Sequence, residues 1–121
     1  MKRIVIALLM IIGFGRSAVA DDVARIAVLD QLQAQFSVCT AFYMIELRCN
    51  KGGESRRRLA VVSRRAEALA AAISMSKEAA ALRLELSVTA SGALIQDDCR
   101  SVATLENRYA VECDPLSSGR E

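Results

Sequence analysis

The chain has 121 residues, with 16 basic and 14 acidic side chains, four cysteines, one proline and neither histidine nor tryptophan. That length sets a single domain with a modest core. The missing histidine excludes a Ser-His-Asp centre and any zinc set completed by imidazole.

The first segment reads as an export leader. Met1-Lys2-Arg3 is a short basic head, Ile4 to Phe14 is apolar apart from Gly13, and Ser17-Ala18-Val19-Ala20 ends in an A-x-A site before Asp21-Asp22. An apolar run of about 11 residues is too short for a bilayer, which needs ~20. Residues 1–20 are therefore expected to be a cleavable signal peptide, residues 21–115 a disulfide-stapled helical domain and residues 116–121 a flexible tail. No cysteine stands at the cleavage site, so lipid anchoring is not expected. Without Lys2, Arg3 and Arg16 the 16 basic residues become 13 against 14 acidic, a net charge near −1. A mature chain of that charge is not a general polyanion binder, and nucleic acid is not an expected partner.

Residues 22–49 contain neither Gly nor Pro. At about 100° per residue, Val28, Leu32, Phe36, Cys39, Phe42 and Tyr43 share a face, with Asp30, Ser37 and Arg48 opposite and Gln33 turned toward them. An amphipathic helix is predicted here, capped by Asp21 or Asp22 and stopped by Asn50-Lys51-Gly52-Gly53. A second helix is predicted over 55–74 with Ser55 as cap. Its apolar stripe is Leu59, Val62, Ala66, Leu69, Ala70 and Ile73. Ser74-Met75-Ser76 reads as a kink or a new cap. Residues 82–89 alternate apolar and polar as a half-buried strand would. No second run of that quality offers such a strand a partner, so helix is preferred, broken at Gly92. The last helix is predicted over 99–113, capped by Asp97 or Asp98, presenting Val102, Leu105, Tyr109 and Cys113, and ended by Asp114-Pro115. The fold class is all-α: a small bundle of three to four helices stapled by two disulfides.

Four cysteines in a small exported chain read as two disulfides. Cys39 and Cys49 are ten residues apart, roughly 15 Å along a helix, and Cys99 and Cys113 are fourteen apart, roughly 21 Å. A disulfide needs Cα atoms within about 7 Å. Neither pair can close within one helix, so the bonds staple the first helix to the last. An unbroken middle rod would give Cys39–Cys99 with Cys49–Cys113. A middle that folds back near Ser74–Ser76 would give Cys49–Cys99 with Cys39–Cys113. The rod would be roughly 55 Å long and poorly covered, which favours the folded-back arrangement. Each staple closes a long loop, with an entropic expectation of roughly 3–4 kcal/mol. There is no C-x-x-C and no metal-ligand spacing, so no metal and no cofactor are expected.

Three features carry functional readings. Arg57, Arg58, Arg64 and Arg65 recur at seven-residue spacing within a basic stretch and could meet an acidic partner or an anionic envelope surface. The competing reading is a solvated helix face, since eleven of the thirteen basic residues after position 20 are arginine. Glu46 lies about 20° from Cys39 on the apolar stripe. It reads as an acid or base of shifted pKa or, with better support, as half of an ion pair with Arg100 or Arg108. Ser74 to Lys77 forms S-x-x-K, but the companion motifs of serine acyl enzymes are absent. No catalytic residue is identified and no enzyme is expected.

The segments C-T-A-F-Y at 39–43, D-D-C-R at 97–100 and R-Y-A-V-E-C at 108–113 resemble a loose group of uncharacterised small exported bacterial helical proteins. These carry a C-x-A-[FY]-Y helix and a later [RK]-Y-x-x-x-C segment. The resemblance covers about half of the mature chain. It implies a helical bundle and a Cys39–Cys113 bond; the group has no assigned activity, so it transfers no functional residue. The expected role is a non-enzymatic binding or interaction module, periplasmic or secreted, whose partner is a protein or another envelope component. The alternative is peripheral attachment to an anionic surface through the arginine face. No transmembrane segment is expected after leader removal.

Overall fold

A computed structural model describes the backbone of residues 2–50 and 52–118 and the side chains of residues 20–49 and 52–118. The side chains of positions 1–19 in the expected leader, and residues 119–121 of the expected tail, lie outside the described residues. The chain forms four α-helices: α1 (Lys2–Asn50), α2 (Gly53–Ala72), α3 (Lys77–Leu94) and α4 (Val102–Leu116). A 3₁₀ turn over Cys99–Ser101 precedes α4. No strand occurs among the described residues, so the alternating stretch 82–89 is helical.

The order of contacts fixes the topology. Gln33 bonds Ala66, and Tyr43 reaches Ser117 and Asp114. Arg83 reaches Asp30 and Gln33, and Cys49 joins Cys99. Hence α2 and α4 run antiparallel to α1, and α3 runs parallel to it. The middle of the chain folds back, and the disulfides are Cys39–Cys113 and Cys49–Cys99, with Cα separations of 5.4 and 5.3 Å.

The helix boundaries depart from the sequence expectations for local reasons. α1 runs through Asp21 and Asp22 without a break, so neither acts as a cap. α2 begins at Gly53, two residues before Ser55, with Gly52 at the N-cap and no side-chain cap bond. Glu54 in the first turn answers the helix dipole instead. Ser76 does cap α3, accepting from the Ala79 amide at 3.1 Å. Asp98 caps the 3₁₀ turn by accepting from the Arg100 amide at 2.9 Å. Gly92 does not break α3. It sits inside the helix where Asp97 folds back, and a Cβ there would lie 2.6 Å from Asp97 Oδ1. Pro115 falls in the last turn of α4 rather than beyond it.

Two chain reversals use the same device. After α2, the Met75 amide donates to Ala70 O and the Ser74 amide to Ala71 O, with Ser74 at φ 56°. After α3, the Asp97 amide donates to Gly92 O and the Gln96 amide to Ala93 O, with Gln96 at φ 51°. Both are paired 6→1 and 5→2 closures of a helix end, with a non-glycine residue in the left-handed position. The second reversal swings Cys99 toward Cys49 and buries Ile95 in the core.

α1 is the hub, because α2, α3 and α4 all pack against it. Its Phe36, Cys39, Phe42, Tyr43 and Ile45 meet Val62 and Ala66 of α2, Ile95, and Leu105 and Cys113 of α4. The Phe42 ring lies 4.9 Å from Tyr43 and 6.1 Å from Tyr109. Burying a side chain of that size contributes about 1.5–3 kcal/mol. The hub position overturns two expectations. Gln33 and Ser37, placed by helical phase on the polar side, are buried, because α2 and α3 cover that side. Val28, placed on the core stripe, is 62% exposed. α4 pairs its Cys113 with Cys39 and ends at Leu116, whose carbonyl meets Arg65 beside Phe36. Nothing of α4 reaches Val28.

Candidate functional site

The described arginines of the basic stretch are largely engaged within the protein. Arg57 donates to Glu54 from Nη2 at 2.7 Å, and Arg58 donates to it from Nε at 3.0 Å. These bonds hold the fully exposed Glu54 carboxyl down at about 2 and push the Arg57 guanidinium up. Arg58 also pairs with Asp114 of α4. Arg65 turns inward: Nη1 donates to Leu116 O at 3.0 Å, and the guanidinium lies 6.0 Å from the centre of the Phe36 ring. Arg64 donates from Nε to Ala60 O at 3.2 Å and stays exposed. Arg58 and Arg65 bind α2 to the end of α4, while Arg57 and Arg64 face solvent.

Around Arg58 lies a polar cluster that sequence spacing did not reveal. The Tyr43 hydroxyl donates to Asp114 Oδ1 at 2.6 Å and lies 3.2 Å from Ser117 Oγ. Burial, followed by the bond to Asp114, raises the Tyr43 pKa. Hydrogen bonding to Tyr43 is the leading cause of the upward shift at Arg58. These contacts clamp α1 and α2 to the end of α4. Sequence reading had Tyr43 as core and Asp114 as a helix stop; only their meeting across 71 residues gives them this role.

Glu46 is 8% exposed on α1 and is engaged by a partner. The two arginines considered for it have other contacts: Arg100 pairs with Asp98 at 3.0 Å, and Arg108 lies 5.8 Å from the centre of the Tyr109 ring. The bond to Arg100 lowers the Asp98 pKa. All four cysteines are in disulfides. No group of three or more metal-ligating side chains occurs among the described residues.

A groove of about 630 Å³ lies between α2 and α3, floored by α1. Its walls are Ala66, Ala70 and Ala71 on one side and Ala80, Ala81 and Leu84 on the other, with Met75 in the connecting turn. Alanine side chains are too short to fill the space between the two helices. The floor is polar. Gln33 is satisfied at both ends, donating to Ala66 O at 3.3 Å and accepting from Arg83 at 2.8 Å. Thr40 donates to Phe36 O at 2.7 Å. Ser37 is 3% exposed and lines the groove. Glu67 and Lys77 stand at the rim and form no ion pair with each other. The repeated alanines of 66–72 and 79–81 were the one sequence signal for this groove. Periodicity alone reads them as ordinary helix.

No described helix is long and apolar enough to cross a membrane, and the two disulfides are consistent with an oxidising compartment. The chain matches no known family model, no curated protein and no solved structure.

Proposed function

We propose that this protein is an exported, non-enzymatic binding module of the cell envelope, and that the groove between α2 and α3 is where it binds. The observation that carries this reading is the groove itself: an open space of ligand size beside a seam closed by large side chains and two disulfides. The leader at 1–20 and the paired cysteines support a periplasmic or secreted location. The absence of histidine supports a role without catalysis, as does the clamped state of Tyr43 and Asp114. The test is to express the full chain with its leader, recover the exported form and examine it by native mass spectrometry. The mature N-terminus should be Asp21, and a bound mass should be present that disappears when the groove is narrowed by Ala80→Leu or Ala81→Leu. An unprocessed chain would sink the export reading. A processed chain that carries nothing, even after exposure to envelope extract, would sink the binding reading.

The alternative, attachment to an anionic envelope surface through the arginine face, draws support from Arg57 and Arg64, which are exposed. It is weakened by the internal pairing of Arg58 and Arg65. Salt-sensitive cosedimentation with anionic vesicles, lost on Arg57→Glu with Arg64→Glu, is its expected signature; unchanged sedimentation removes it.

A further inference from the structure

We infer that Cys49–Cys99 is an exchangeable disulfide: a low-molecular-weight thiol attaches at Cys99 and opens the corner between α3 and α4, while Cys39–Cys113 holds the bundle. This stands independently of the groove. The two disulfides have unlike surroundings. Cys39 and Cys113 are 1% and 0% exposed and belong to the core with Phe42 and Leu105. Cys49 lies one residue from the end of α1, half-buried against that core. Cys99 is exposed and starts the 3₁₀ turn before α4. One bond therefore joins helix interiors, and the other joins two inter-helix corners. Disulfides that are exposed or held in a strained setting are the ones that exchange.

The corner supplies the strain. The reversal after α2 uses one left-handed residue, Ser74, and carries no disulfide. The reversal after α3 uses two in succession, Gln96 at φ 51° and Asp97 at φ 54°. Neither has the freedom of glycine, and such a conformation persists only where its surroundings over-determine it. Here Asp97 is fixed by its amide bond to Gly92 O and by its close approach to Gly92. Cys99, two residues on, is tied to α1. Cutting that tie lets Gln96 and Asp97 relax and carries Cys99 away from Cys49. The movement is bounded on both sides, by the buried Ile95 and by Cys113, which stays bonded to Cys39.

The attacking thiolate must approach a sulfur from the side opposite the bond it breaks. Behind Cys49 lies the core, whereas Cys99 is the exposed partner, so Cys99 Sγ is the sulfur attacked. The incoming sulfur bonds to Cys99 Sγ, the Sγ–Sγ bond breaks, and its electron pair leaves on Cys49 Sγ, which takes a proton from solvent. A second thiolate attacking the adduct releases the thiol as its own disulfide and leaves Cys99 reduced. Two thiols are then oxidised for one protein disulfide reduced.

The experiment incubates the fully oxidised protein with reduced glutathione, quenches with acid and maps the peptides without further reduction. The expected species carries the tripeptide on Cys99, a free thiol on Cys49 and an intact Cys39–Cys113 bond. It should form about tenfold faster than any species that lacks Cys39–Cys113. Amide hydrogen exchange of this species should show protection lost over residues 96–101 and kept at Phe42 and Leu105. Gln96→Gly, and separately Asp97→Gly, should lower its yield several-fold, because a relaxed turn returns Cys99 to Cys49. Unchanged yield in both variants would overturn the part given to the turn. Tripeptide on Cys49 would overturn the direction of attack. Loss of both disulfides together, or of Cys39–Cys113 first, would overturn the exchange site. So would the absence of any adduct at glutathione levels that reduce the urea-unfolded protein.

Discussion

The two sides of α1 are built on opposite principles. Toward α4, the interface is filled by Phe36, Phe42, Tyr43 and Leu105 and closed by two disulfides. Toward the space between α2 and α3, it is lined by alanines, serines and a glutamine, and it stays open. The comparison teaches that the α1–α4 side is the covalently closed one, while α2 shares the same core through Val62 and Ala66. Because α2 and α3 each pack on α1, and the α1–α4 side is covalently fixed, α2 and α3 need not meet closely.

This contrast can be broken from the seam side first. Replacing Cys39 and Cys113 together by alanine should cost about 4 kcal/mol, from the entropy of closing a 74-residue separation. Chemical denaturation should show a large fall in midpoint, and a change under 1 kcal/mol would mean that the seam is not the anchor. Leu105→Ala, at a fully buried site, should cost about 3 kcal/mol as a core cavity. A smaller effect, Tyr43→Phe, should cost about 1 kcal/mol. It removes the hydrogen bond to Asp114 but leaves the ion pair of Asp114 with Arg58. On the groove side, Ala81→Leu should stay within about 0.5 kcal/mol of the parent, because the added atoms enter unfilled space at an exposed position. A groove variant as damaging as Leu105→Ala would erase the contrast between the two sides.

The smallest effect concerns pH. Glu54 has its carboxyl held down at about 2, against 4.5 for a free side chain. A depressed folded-state value gives stability that is present above about 4.5 and is lost as pH falls toward 2. Because Glu54 is fully exposed, the change should be slight and salt-sensitive. Comparing acid denaturation of the parent with Glu54→Gln should show a shallower slope in that window for the variant. An identical slope would mean that the pairs with Arg57 and Arg58 add nothing measurable. Tyr43 works in the opposite sense. Its raised pKa favours the folded state below 10 and withdraws that support as pH climbs past it.

Much of the architecture could be read from residue order. Helical pitch showed that Cys39 could not reach Cys49, nor Cys99 reach Cys113, and the kink at Ser74–Ser76 pointed to the reversal that brings the pairs together. The stretch 82–89 was ambiguous because Leu82, Leu84, Leu86 and Val88 recur at every second residue as in a half-buried strand; on α3 that spacing leaves Leu82 and Leu86 exposed. The helix ends were harder. Ser74 and Gln96 take left-handed positions where glycine is the usual signal, and Gly92 sits within a helix because of the close return of Asp97.

By itself the sequence determined the helices, the need for two interhelical staples and the aromatic stripe that fills the seam, since these follow from pitch, periodicity and the reach of a disulfide. Only the tertiary structure decided that α1 is covered on several sides, which buries Gln33 and Ser37 and leaves Val28 bare. It also decided that Tyr43, Asp114 and Arg58 meet, and that α2 and α3 diverge enough to leave a groove. Those outcomes depend on how three helices share the surface of a fourth. A one-dimensional period cannot encode that, because each helical wheel describes one helix against an unspecified neighbour.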